Sequence, residues 1–155
     1  EVSKVLAEGR EYLEWTTPSK FVVRQKLNKH EVVRIQLQLL GTVNLRIPTG
    51  EGDIVDKRHH KNATAPNLIH SLDASLLHIS ALKFDAPIAL IHDSVLCRAN
   101  DMKLLGDLVR KTYMHLFAEH AFLKDFAKQI GAKSKPPIIG DLKPESVIES
   151  TYFFC

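Results

Sequence analysis

Apolar positions recur along this chain in three rhythms. Between Val32 and Ile47, Val33, Ile35, Leu37 and Leu39 alternate with Arg34, Gln36 and Gln38. That period of two predicts strand with one polar, basic face. Phe21-Val22-Val23 is a shorter β-branched run, set off by the turn Thr16–Lys20 in which Pro18 fixes φ. Helical spacing appears in four places. Val2, Val5, Leu6 and Leu13 predict a helix over 1–14 that ends before Trp15. Leu68, Ile69, Leu72, Leu76, Leu77, Ile79 and Leu82 predict a long central helix over 65–84, apolar on most sides, with Pro66 in its first turn. Met102, Leu105, Leu108, Val109, Leu116 and Phe117 predict an amphipathic helix over 101–120 with Asp101 as N-cap, and 121–130 a shorter one stopped by Gly131. The third rhythm is an unbroken run, Ile88 to Cys97, interrupted at its centre by His92-Asp93-Ser94. It predicts strand, turn and strand, with a carboxylate at the tip.

The remaining stretches join these elements. Residues 48–61, with Gly50, Gly52 and the cluster Asp56-Lys-Arg-His-His60, read as an exposed loop; 131–144, containing Lys133-Ser-Lys-Pro-Pro137, reads as a linker; 145–155 reads as a tail with one helical turn at 145–150. The resulting fold class is α+β, a small antiparallel sheet that includes the 88–97 hairpin and is packed by the 65–84 and 101–120 helices. Residues 1–155 read as one incomplete domain, because helix 1–14 opens abruptly and the sheet needs strands from elsewhere.

Composition narrows this little. Apolar residues make up 45% and charged residues 25%, ordinary for a globular protein. Lys and Arg number 21 against 18 Asp and Glu, an excess that permits a polyanionic partner without demanding one. Cys97 and Cys155 lack metal-type spacing and fit a reduced, intracellular protein. No segment approaches the roughly 18 apolar residues of a membrane span, and no membrane partner is expected.

Candidate chemistry centres on Asp93. A carboxylate raised on a short hairpin is a rigid place from which to hold a divalent metal, although a hairpin Asp also serves simply as a turn former. His70 and Asp73 lie three apart on one face of the central helix, with Ser71 beside them. A satisfied core histidine is the competing explanation for His70. Lys57, Arg58, His59 and His60 could meet phosphates, as could Arg34 and Arg46 on the strands. Adjacent histidines also suit a metal, but no third ligand stands at helical or hairpin spacing.

Four motifs in order, Trp15-Thr-Thr-Pro18, Ala65-Pro-Asn67-Leu-Ile-His70-Ser71-Leu-Asp73, Ile91-His92-Asp93-Ser94 and the aromatic end Tyr152-Phe-Phe154, resemble the carboxyl-terminal part of the single-subunit, bacteriophage-T7-type DNA-directed RNA polymerases. The resemblance covers almost the whole chain. It implies the palm portion of a right-hand polymerase, with Asp93 as the second of two aspartates that hold two Mg2+ ions and His92 as its active-site neighbour. His70 resembles the histidine that reaches the minor groove of the nascent base pair. Phe153-Phe154-Cys155 is similar to a short aromatic tail that packs back near the catalytic centre, although Cys155 stands where the family ends in a small residue.

The implied partners are template DNA, nascent RNA and NTPs. The family's first palm aspartate, its fingers helix and its Tyr-Gly pair have no match here, so the resemblance also implies that this is the last piece of a longer polypeptide, or one subunit whose partner is a second polypeptide carrying them. DNA polymerases of the related family carry His-Asp-Glu at the hairpin and glutamine on the helix; Ser94 and His70 favour RNA synthesis. A non-catalytic nucleic-acid-binding scaffold is the alternative from another class. The expected setting is the cytoplasm of a phage-infected bacterium, with the mitochondrial matrix as the alternative.

Overall fold

A computed structural model describes residues 1–38, 42–138 and 140–153, leaving aside the side chains of Leu37, Thr42, Val43, Arg46, Pro48 and Glu51. Leu39 of the alternating run, the Arg46 side chain and Phe154–Cys155 therefore lie outside the described residues. The architecture is α+β, as expected: three antiparallel strand pairs set among helices.

The first helix, α1 (Val2–Ala7), is shorter than its apolar spacing predicts. Gly9 follows with φ +93°, a left-handed conformation natural to glycine that turns the chain away. Leu13 and Trp15 belong instead to β1 (Leu13–Thr16), paired antiparallel with β2 (Val22–Gln25). Their spacing of two puts both side chains inward, where with Val5, Leu6 and Leu68 they form one core cluster. The turn between these strands closes where Pro18 predicts. Thr17 Oγ1 accepts the Phe21 N–H at 3.1 Å, and Lys20 takes φ +67°.

β3 (Asn28–Gln38) and β4 (Thr42–Val55) form a long ribbon. Register pairs Val33 with Ile47 and Ile35 with Leu45 on one face, and Arg34 with Arg46 and Gln36 with Asn44 on the other. The stretch 48–61 is consequently not a loop: β4 runs through Val55, and α2 (Lys57–Leu82) begins two residues later. Asp56 is its N-cap, accepting the His59 N–H at 2.9 Å. Pro66 therefore lies inside α2 and not in its first turn.

Nor is α2 enclosed on all sides. Its buried residues are His60, Thr64, Leu68, Leu72, Ser75 and Ser80, while Ile69 and Leu82 are exposed.

After α2, β5 (Ile88–Ile91) and β6 (Ser94–Cys97) form the expected hairpin, and α3 (Met102–Glu119) the expected amphipathic helix. Asp101 stands at the N-cap position of α3, but its carboxylate accepts from Arg98 Nε at 2.7 Å and caps nothing. α4 (Phe122–Ile130) ends at Gly131, φ +72°, where the Ala132 N–H reaches the Ala127 carbonyl. α5 (Ser146–Glu149) is the anticipated single turn. Phe84, Leu105 and Val109 form the second core cluster, joined by Ile88, Val95, Cys97 and Phe153. Among the described residues no helix is long and apolar enough to cross a membrane.

Candidate functional site

The β5–β6 turn is only His92-Asp93, with Ile91 paired directly to Ser94. His92 holds φ +56°, a conformation that costs a non-glycine residue roughly 1–3 kcal/mol and persists only where the surroundings enforce it. Ile88, Val95 and Cys97 on the inner face rest on the second core cluster. Ile91 and Leu96 on the outer face are about half exposed. Asp93 is exposed and, among the described residues, has no hydrogen-bond or ion-pair partner. A turn-forming Asp ordinarily bonds to nearby backbone. This one leaves both oxygens available.

His70 and Asp73 are exposed on α2, so His70 is not a core histidine. Among the described residues no hydrogen bond or ion pair joins His70, Asp73, His92 and Asp93. Ser71 faces elsewhere: its Oγ accepts the Trp15 Nε1–H at 3.1 Å and donates to the Leu68 carbonyl at 2.7 Å. It joins β1 to α2 and lines a cleft of about 520 Å3 between β1, α2 and α4, which includes neither Asp93 nor His70.

The basic candidates occupy two places. Arg34 is exposed on the polar face of the ribbon, at the register position opposite Arg46. Lys57 and Arg58 are exposed in the first turn of α2, where the helix dipole is itself positive. Asp56 offsets them, its carboxyl held below the usual range chiefly by the His59 N–H.

His60 is withdrawn from the phosphate and metal candidates altogether. It is fully buried. The Leu27 N–H donates to its Nε2 at 3.1 Å, its Nδ1 lies 3.0 Å from the Gln25 amide, and its carbonyl accepts Thr64 Oγ1 at 2.6 Å. Burial is the main force pushing its pKa down, and a ring that accepts a backbone N–H is neutral. His60 thus secures the start of α2 to the β2–β3 connection. Asn67 extends the network to Gln25 at 2.7 Å.

Mg2+ is a hard ion that takes one or two carboxylates and completes its shell with water and phosphate oxygens. Asp93 fits as one such ligand. Among the described residues no group of three His, Cys, Asp or Glu could hold a metal.

The chain is similar to known proteins over nearly its whole length. Residues 3–151 match the family model described as DNA-dependent RNA polymerase. The chain is similar to the DNA-directed RNA polymerase of Pseudomonas phage phiKMV, with 32% identity over 99% of this chain and 19% of the relative. It is similar to DNA-directed RNA polymerase 3B, chloroplastic, of Nicotiana tabacum, with 33% identity over 99% of this chain and 16% of the relative. A third similarity is to DNA-directed RNA polymerase 1, mitochondrial, of Arabidopsis thaliana, with 31% identity over the same shares. The chain spans less than a fifth of the length of these curated relatives.

Proposed function

The chain belongs to the DNA-dependent RNA polymerase family, and from that membership we propose that it is part of the catalytic core of a DNA-directed RNA polymerase, with Asp93 as one of two carboxylates of the nucleotidyl-transfer centre. The observation that carries the proposal is the exposed, unpartnered Asp93 on a two-residue turn whose strands are seated on core. When bound, two magnesium ions supply charge neutralisation at the attacking oxygen and at the departing pyrophosphate. Asp93 would hold them jointly with a carboxylate from outside these residues. That carboxylate and the fingers motif lie outside these residues, on a further part of the same polypeptide or on a second one.

The reaction is attack of the RNA 3′ hydroxyl on the α-phosphorus of the NTP, with pyrophosphate leaving. The protein forms no bond to the substrate, so its contribution is placement. His92, through its fixed backbone, sets the height and direction of Asp93. His70, exposed on α2, is proposed to face the nascent RNA–DNA base pair, with Asp73 on the same helix face; Ser71 keeps that helix registered to β1. Arg34, Arg46, Lys57 and Arg58 are proposed phosphate contacts. A phage-infected bacterium is the proposed setting, supported by the phage relative; the organellar relatives make the mitochondrial matrix the alternative.

The test is Asp93→Asn in the polymerase assembled from this chain and the remaining core. Extension of RNA on a primed template should fall about 10²- to 10³-fold, the scale of losing a charge-stabilising group at a reacting centre. Unchanged extension would instead favour a palm-like scaffold without catalytic duty.

A further inference from the structure

Among the described residues, the hydrogen-bond acceptors of Arg110 are backbone carbonyls and not carboxylates. Half-buried on α3, it donates Nη1 to the Val147 carbonyl at 2.9 Å and to the Ser150 carbonyl, and Nη2 to the Thr151 carbonyl at 3.4 Å. Its guanidinium also lies 5.6 Å from the centre of the Phe153 ring. One side chain thereby gathers most of the segment 146–153. These acceptors include carbonyls at the end of α5 that the helix leaves without internal partners, and a cation is favoured there.

The segment matters for what it delivers. Phe153 stands edge-on to Tyr113 at 5.0 Å and packs on the Phe84, Leu105 and Val109 cluster. The inner residues of the Asp93 hairpin, Ile88, Val95 and Cys97, rest on that same cluster. Phe153 is the contribution of segment 146–153 to this seat, and Arg110 bonds that segment to α3.

We propose that Arg110 is a positioning residue: by clamping segment 146–153 it keeps Phe153 in the seat of the β5–β6 hairpin and so fixes where Asp93 stands. The proposal rests on the function assigned above to Asp93. It requires the planar fork of arginine, since three carbonyls and a ring face are met at once by donors in one plane. A lysine would keep the charge and lose the geometry.

The experiment compares Arg110→Ala, Arg110→Lys, Phe153→Ala and Thr151→Ala in the assembled polymerase. It uses two readouts, amide exchange across 88–97 and RNA extension at saturating NTP. Arg110→Ala and Phe153→Ala should raise exchange in the β5–β6 amides and lower kcat about 10- to 100-fold with little change in KM, the cost expected of a misplaced reacting group. Arg110→Lys, which retains the aliphatic stem and should fold, should show the same signature more weakly. Thr151→Ala should change neither readout, because the bond uses the backbone carbonyl. Exchange unchanged in both Arg110 variants, or raised exchange with unaltered extension, overturns the proposal. The exchange readout does not depend on the role of Asp93. Failure of that role appears instead as full activity of Asp93→Asn with exchange still raised in Arg110→Ala.

Discussion

Two antiparallel hairpins in this molecule have similar amphipathic character and different surroundings. The β5–β6 hairpin is short, and its inner face lies on Phe84, Leu105, Val109 and Phe153. The β3–β4 ribbon is several times longer, and its apolar side chains Val33, Ile35, Leu45 and Ile47 are each about 40–50% exposed. One hairpin is held on a core that this chain builds for itself. The other presents its apolar face outward, with arginine positions on the reverse. A carboxylate with the role proposed for Asp93, whose position must be held to within about 0.5 Å, suits the first environment. An arm that meets a long polyanion suits the second, where positional tolerance costs little.

This contrast can be broken in four ways, in descending size of effect. Leu105→Ala, beneath the short hairpin, should destabilise the protein by about 2–5 kcal/mol in denaturant titration. A loss below about 1 kcal/mol would mean the hairpin is not seated as described. Next is the acid response of His60, which belongs to the core side of the comparison. Burial lowers its folded-state pKa, so between that value and the ordinary 6.5 the unfolded chain takes up a proton that the folded chain refuses. Its contribution to stability is complete above pH 6.5 and is lost as pH falls below it. Thermal midpoints should decline over that window, and His60→Gln should flatten the decline while lowering stability at pH 8.

The ribbon should respond more mildly. Arg34→Gln should reduce the dependence of log K on log salt for primed-template binding by about one, leaving the folding midpoint in place. An unchanged salt slope would remove Arg34 from the nucleic-acid surface. Smallest of all, Ile35→Thr should shift stability by less than about 0.5 kcal/mol, because Ile35 is well exposed and belongs to neither core cluster among the described residues. A large loss would show that the ribbon packs against its own core.

Much of this contrast is legible in local sequence. The run Ile88–Cys97 with its polar centre, the α3 stripe and the Gly131 stop depend on neighbours along the chain, and the structure agrees with each. What depends on distant partners is less visible. Val2, Val5, Leu6 and Leu13 fit helical spacing, yet Gly9 turns the chain and Leu13 pairs with Gln25. Thr49 to Asp53 look like loop residues because a free-standing ribbon has no need of apolar ones there. His60 resembles a surface ligand in sequence, and only Gln25 and the Leu27 N–H make it a core residue. At the candidate site, the exposure of Asp93 follows from its turn, whereas the bond between Ser71 and Trp15 is tertiary. Arg110 leaves no sequence signal at all, since its acceptors are backbone carbonyls that any residue could supply.

The most direct test of the central claim is a count of Mn2+ ions bound by the assembled polymerase with primed template and incoming nucleotide, compared between the native protein and Asp93→Asn by electron paramagnetic resonance. With Asp93 as a shared ligand of the two-ion centre, native complexes hold two ions and the variant holds fewer, with affinity reduced about tenfold or more. Equal occupancy and equal affinity in the two proteins would contradict the account.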